Sequence, residues 1–309
     1  MLITCRAVSR SFRFVPTPKV TETLRFCFAY VLSKFDISVH EFVWMSNHFH
    51  IVLTTPDACL PAFMQELNSL CSRALNALRG WTGSNIEKGY NITVDTDEEA
   101  ILHHCAYTLA NPCAADLVMR AEQWKGVTSI HLEYGQEIEV ERPKYGLWAP
   151  SLPGTKKARL RKQSRARARR TVTPQRVTIS LSRPPVARGR MSDAEVRAEV
   201  RRRLVELESQ AEAARAEAGK RVLGMRRVRE QSWFGIPREP DDMFESEPTV
   251  AGSDKGARAL ATRSLLAFRK AYAAARDAWI GGQRDALFPF GTWLMRRRFA
   301  VRCATSPPT

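Results

Sequence analysis

EFVWMSNHFHIVLTTP, running from Glu41 to Pro56, decides how the rest of the chain is read. Apolar, β-prone residues flank a Ser46-Asn47 turn, and two histidines follow with Phe49 between them. In an extended strand, residues two apart share a face at roughly 6.5 to 7 Å spacing. His48 and His50 therefore project together while Phe49 turns to the core. A sheet presents two imidazoles to a divalent metal in this way, although the triplet alone also reads as two buried, hydrogen-bonded histidines.

Working outward, residues 2 to 15 read as a strand closed by Pro16-Thr17-Pro18, and Val20 to Lys34 as a helix with Leu24, Phe28, Val31 and Leu32 on one face. Asp36 to Val39 begins the strand that enters the hairpin. Downstream, Leu60 to Leu78 is helical, with Phe63, Leu67, Leu70, Leu75 and Leu78 as its apolar stripe and Gly80 as its stop. A short strand YNITV leads to the helix DEEAILHHCAYTLAN, for which Asp95 or Thr96 is the expected cap. Pro112 lacks an amide hydrogen and restricts the residue before it, which predicts a break or kink around Asn111. Helices laid over a mostly antiparallel sheet define an α+β fold.

Two spaced motifs carry a family resemblance. MSNHFHIVL, residues 45 to 53, is similar to the MxNHxHxxL signature of the HUH (His-hydrophobic-His) single-tyrosine transposases, and YTLANPCAADLV, residues 107 to 118, matches their Y-x-x-x-N-P-x-x-A-x-L-V segment. The nearer likeness is to the branch associated with repetitive extragenic palindromes in bacteria. It covers about the first 130 residues. It implies a ferredoxin/RRM-like HUH nuclease fold, with the histidine pair on a central strand and the tyrosine helix across it. Tyr107 would be the nucleophile, and His48, His50 and Asn111 the ligands of Mg²⁺ or Mn²⁺. Asn111 lies four residues beyond Tyr107, so both share a face if the helix persists. His103, one turn before Tyr107, is a competing ligand or proton acceptor, and His104 is less well placed.

The implied activity is metal-dependent transesterification of single-stranded DNA beside a hairpin, through a 5′-phosphotyrosine link and a free 3′-hydroxyl. A phenol with a reference pKa near 10 needs help at neutral pH, and a divalent ion that polarises the phosphate would provide it. Two other readings stay open: a nonenzymatic protein that binds hairpin DNA, and an RNA-binding module. A generic metallohydrolase is a weaker third.

Composition agrees with a nucleic-acid partner. The 309 residues carry a net charge of +16 with a pI near 10.0, a surplus that favours a polyanion without distinguishing DNA from RNA. Hydrophobic residues make up 44%, enough for a substantial core. The longest apolar run, FCFAYVL from Phe26 to Leu32, is far short of a membrane span. Seven cysteines, an odd number with no CxxC pair, argue for free thiols in a reducing compartment. The N-terminus resembles a mitochondrial presequence superficially, yet its alternation reads better as a strand. The expectation is a cytoplasmic, nucleoid-associated bacterial protein, with a homodimer left open.

Three regions follow: 1–150 for the catalytic domain, 151–190 for a basic linker or DNA-binding arm, and 191–309 for a helical C-terminal domain. From Gly154 to Arg190 there are thirteen Lys or Arg and no acidic residue. Lys156, Lys157, Arg159, Arg161, Lys162, Arg165, Arg167, Arg169 and Arg170 of this arm, with Arg120 and Lys125, are the expected phosphate contacts. Ser192 with Glu195 makes a capping box that opens a helix striped by Val196, Val200, Leu204, Leu207 and Ala211. A second helix spans about Gly256 to Trp279. In the closing LFPFGTWLMRRRFAVRC, Phe290 and Trp293 are read either as stacking surfaces for bases or as members of a small helical core.

Overall fold

A computed structural model describes residues 1–56, 59–144, 147, 173–186, 190–237 and 249–306. Its centre is a five-stranded sheet, ordered β2-β3-β1-β4-β7: β1 (Leu2–Arg6), β2 (Ser38–Trp44), β3 (His48–Thr54), β4 (Asn91–Asp95) and β7 (Val250–Ala251). The first four pair antiparallel, and only β7 joins parallel, against β4. The fold is α+β, as the pattern of elements predicts.

Register divides the sheet into two faces. Trp44 pairs with Phe49, Phe42 with Ile51 and Cys5 with Phe49, so these side chains share one face. Helices α1 (Pro18–Leu32) and α2 (Leu60–Arg79) cover it. There Phe28 meets Phe42 at 5.0 Å and Trp44 at 4.8 Å between ring centroids, and Trp44 stacks on Phe49 at 4.7 Å. Each such fully buried side chain stabilises the fold by about 1.5–3 kcal/mol. The opposite face carries His48, His50 and Glu41. It is covered by α3 (Glu98–Ala114), with α4 (Asp193–Glu217) packed on the outside of α3.

Several local expectations are revised. The first strand ends at Arg6, because Ser9 and Arg10 take left-handed backbone (φ 53° and 52°) within a 3-10 turn. The cap of α3 is Asp97 rather than Asp95 or Thr96, its carboxylate accepting from the Ala100 amide at 2.8 Å. Helix α3 also runs through Pro112 to Ala114 without the expected break at Asn111. Pro112 stands in the last turn, so only the Thr108 carbonyl loses its helical donor there.

Part of the expected linker is folded. β6 (Arg176–Ser180) pairs antiparallel with β5 (Glu137–Glu141) and the hairpin lies on α1. Val177 and Ile179 face inward, and Arg176 pairs outward with Glu139 and Glu141. The charge run from Lys156 to Arg170 lies outside the described residues. The boundary expected at residue 191 is likewise crossed: the capping box at Ser192 and Glu195 is present, and Val196, Val200 and Leu204 of α4 belong to the main core. Helix α5 (Met225–Glu230) adds Val228 to it. Residues 249–306 hold a small cluster of their own, Ala275, Phe288 and Val301, between α6 (Lys255–Ile280), β8 (Leu287–Phe288), α7 (Trp293–Phe299) and β9 (Arg302–Cys303).

His40 ties the 173–186 segment to β2. Its Nδ1–H donates to the Ser182 carbonyl and its Nε2 accepts from the Thr54 hydroxyl, both at 2.9 Å, which fixes the neutral ring. Burial pushes its pKa down to about 4. A histidine depressed in the fold contributes stability that is present above about pH 6.5 and is lost as pH falls towards 4. The chain should lose about 2 kcal/mol from this ring between pH 7 and pH 5. Denaturant melts at the two pH values test this, and His40→Asn should flatten the difference.

Candidate active site

Three elements bring the predicted residues together. His48 and His50 project from β3 with ring centroids 4.9 Å apart, and Tyr107 from α3 stands 5.6 Å from His50, edge to face. His103 lies parallel to the Tyr107 ring at 6.4 Å. Asn111, one turn further, places Oδ1 3.2 Å from His48 Nε2. The unbroken helix makes this register: His103, Tyr107 and Asn111 recur every four residues along one face. Tyr107 is 37% exposed, so its ring is open to a large substrate, whereas His50 and Asn111 are buried.

Each histidine is held by an outer partner. Asn47 Oδ1 accepts from His48 Nδ1 at 2.8 Å, so in the neutral ring Nε2 offers a lone pair to Asn111 Oδ1, itself an acceptor. Two lone pairs so near one another are satisfied by a proton or cation between them. Thr4 Oγ1 bonds His50 Nδ1 at 3.0 Å, leaving Nε2 as the ligand nitrogen. Burial, then the charges of His48 and His104, holds His50 well below the usual histidine range, hence neutral and able to coordinate. Burial also lowers His103, with His104 and Arg203 adding to the effect. Two imidazoles and an amide oxygen fit an open divalent site with room for substrate oxygens. Among the described residues no three His, Cys, Asp or Glu side chains gather into a metal cluster; the oxygen beside the histidine pair is Asn111 Oδ1.

Residues 5–92 match the transposase IS200-like family. The IS200-like region runs from the end of β1 through the histidine hairpin to the start of β4, and ends before the helix of Tyr107 and Asn111. It is less than a third of the chain. No curated protein matches the chain. One solved structure, described as the REP-associated tyrosine transposase bound to a REP hairpin, aligns at 17% identity over 43% of this chain and 76% of its own, with a TM-score of 0.36. At that distance the likeness supports no inference about ligand or chemistry.

Other expected residues stand apart from the site. Arg120 is held by Glu208 and Glu212 of α4, at 3.4 Å each, and caps that junction. Lys125 lines a separate surface cleft with Arg25 and His131, against α1 and the β5–β6 hairpin. His104 pairs with Asp95 at the end of β4. Thr4 is a residue of this constellation that sequence reasoning missed. Its role depends on the β1–β3 register, Thr4 opposite His50, which no local motif encodes. Among the described residues, no helix is long and apolar enough to cross a membrane.

Proposed function

We propose that the chain is a transposase that cuts and rejoins single-stranded DNA beside hairpins through Tyr107. The observation that carries this reading is the meeting of Tyr107 and Asn111 with His48 and His50 on one open face. Tyr107 Oη attacks a phosphodiester phosphorus. The Oη–P bond forms as the P–O3′ bond breaks, leaving a 5′-phosphotyrosine and a 3′-oxygen that takes a proton from water to become a free 3′-hydroxyl. His103, stacked beside the phenol and neutral, accepts its proton. A later attack by a 3′-hydroxyl reverses these bonds and rejoins strands, so no nucleotide cofactor is consumed.

Mg²⁺ or Mn²⁺, when bound by His48, His50 and Asn111, supplies positive charge that polarises the phosphate and steadies the leaving oxygen. Thr4 and Asn47 hold the Nδ1 atoms of the two rings and so leave both Nε2 atoms for the ion. The basic surface, counted in the net charge of +16, attracts the strand and makes its binding fall steeply with salt.

The test is incubation of labelled single-stranded hairpin DNA with the chain in Mg²⁺ or Mn²⁺. A shifted band that survives denaturant is the expected result. Binding without any such adduct would leave a hairpin-binding protein instead, and preference for single-stranded RNA would favour an RNA-binding module.

Removing the outer partner of His50 should weaken the metal before it weakens the fold. Thr4→Val keeps the shape of a buried side chain but not its hydroxyl, and about a 10- to 100-fold loss in Mn²⁺ affinity is expected. Titration calorimetry measures it, and unchanged affinity would remove Thr4 from the site.

A further inference from the structure

A second constellation lies beside the turn that feeds the histidine strand. Trp81 follows α2, while Trp233 and Phe234 belong to the segment after α5. The Arg13 guanidinium sits 4.6 Å from the Trp81 centroid, 4.8 Å from Trp233 and 4.5 Å from Phe234, and Arg79 lies 4.5 Å from Trp233. Trp81 meets Trp233 and Phe234 edge to face at 5.4 and 5.8 Å.

These rings are firmly placed. Gly83 has φ +138°, and a Cβ there would come 2.6 Å from Trp81 Cη2, so only glycine lets the indole fold back over the chain. The Phe12 amide donates to the Gly235 carbonyl at 2.8 Å, and Arg229 Nε donates to the Pro16 carbonyl at 3.1 Å. Arg79 donates to the Arg13 carbonyl and to Asn85.

Two features remain after the packing is accounted for. Phe234 is 52% exposed and Ile236 62%, adjacent apolar groups on the surface of a chain with a net charge of +16. Arg13 is only 7% exposed, yet among the described residues its Nη1 has no hydrogen-bond partner. A covered guanidinium donor without an acceptor costs stability, so the cluster is not arranged for stability alone. A half-exposed phenyl ring, packed on Trp233 at 3.7 Å between centroids and backed by a cation, offers an aromatic surface that a nucleotide base can extend by stacking.

The cluster is tied to the turn that precedes His48. Phe14, two residues after Phe12, donates its amide to the Ser46 carbonyl, two residues before His48. Gly235 and His48 are thus joined by a path of roughly 25 Å at most, within the span of a short single strand.

We propose that Trp81, Trp233 and Phe234, mounted on Arg13 and Arg79, form a stacking platform for single-stranded DNA that flanks the hairpin at the Tyr107 site. This rests on the DNA reading above and deepens it. The platform grips bases by their faces and so tolerates many sequences. Because its rings are already fixed, little ordering cost falls on binding.

The experiment measures anisotropy of a labelled hairpin with a single-stranded flank, using the full chain and Phe234→Leu and Trp233→Leu variants, each checked by thermal melting. Leucine keeps apolar contact but cannot stack. Phe234→Leu, at the exposed ring, should bind about tenfold more weakly. Abasic sites in the flank should weaken wild type by a similar factor and the variant little further. Should Phe234→Leu bind and form the Tyr107 adduct as wild type does, the platform is overturned while the transesterase reading stands. If no single strand binds even the wild type, both fall. Trp233→Leu guards against a local effect: a stable variant with unchanged affinity also counts against the platform.

Discussion

Tyr107→Phe is expected to abolish the covalent protein–DNA adduct, lowering cleavage by at least about 1,000-fold, while leaving hairpin affinity and melting temperature close to wild type. The size follows from the role. The phenolic oxygen is the atom that joins phosphorus, and phenylalanine supplies no substitute, so what remains is attack by water at a site arranged for another nucleophile. The stability expectation has its own basis: Tyr107 is 37% exposed, and losing one hydroxyl at such a position usually changes stability by less than about 0.5 kcal/mol. The ring still packs against His50 and His103.

The comparison with His48→Ala and His50→Ala makes the result specific. Those variants should also lose cleavage, but should respond to Mn²⁺ concentration, since they weaken a ligand set rather than remove a nucleophile. An adduct that persists in Tyr107→Phe would move the nucleophile elsewhere and sink the mechanism. Denaturing gels with labelled hairpin DNA distinguish these outcomes, and fluorescence melts verify the fold.

The sequence was most legible where periodicity and chemistry coincide. The period of two put His48 and His50 on one face, and the period of nearly four aligned His103, Tyr107 and Asn111, so both halves of the site could be read separately. Their meeting depends on α3 crossing β2 and β3, which was expected from the family resemblance and not from spacing. Pro112 misled because its local penalty is real but small in a final helical turn, where tertiary packing decides. The packing of α4 into the main core was hidden for a different reason. Away from its apolar stripe α4 is thick with Arg and Glu, yet Arg197 and Arg215 are buried, and a buried cation has no sequence signature distinct from an exposed one.

Arg197→Met should destabilise the chain by about 3–5 kcal/mol, because it strands a charge on the other side of the sheet–helix interface. Glu41 on β2 is fully buried. Its carboxylate accepts from Ser129 Oγ at 2.6 Å, from Tyr134 Oη at 3.0 Å and from Arg197 of α4, whose guanidinium also donates to the Ser129 and Ile130 carbonyls. Burial pushes Glu41 up to about 7, opposed chiefly by Arg197.

Without that cation the carboxyl rises further. A group raised in the fold contributes stability that is present at low pH and lost as pH rises through its folded pKa. Below about pH 7 the carboxyl is protonated in both folded proteins and they lose stability in parallel; the variant should therefore fall further behind wild type only as pH rises above about 7, and denaturant melts from about pH 5 to pH 9 measure it. Glu41→Gln together with Arg197→Met removes the charge and should recover much of the loss, which separates an unpaired carboxylate from a simple packing defect.

The same pair bears on architecture. Cutting the chain at residue 190 removes Arg197 and also uncovers the outer face of α3, where Val196, Val200 and Leu204 are packed. Such a truncation should fold worse than the point variant. If it instead melts like the full chain, α4 is an accessory, and Tyr107 is positioned by the sheet alone.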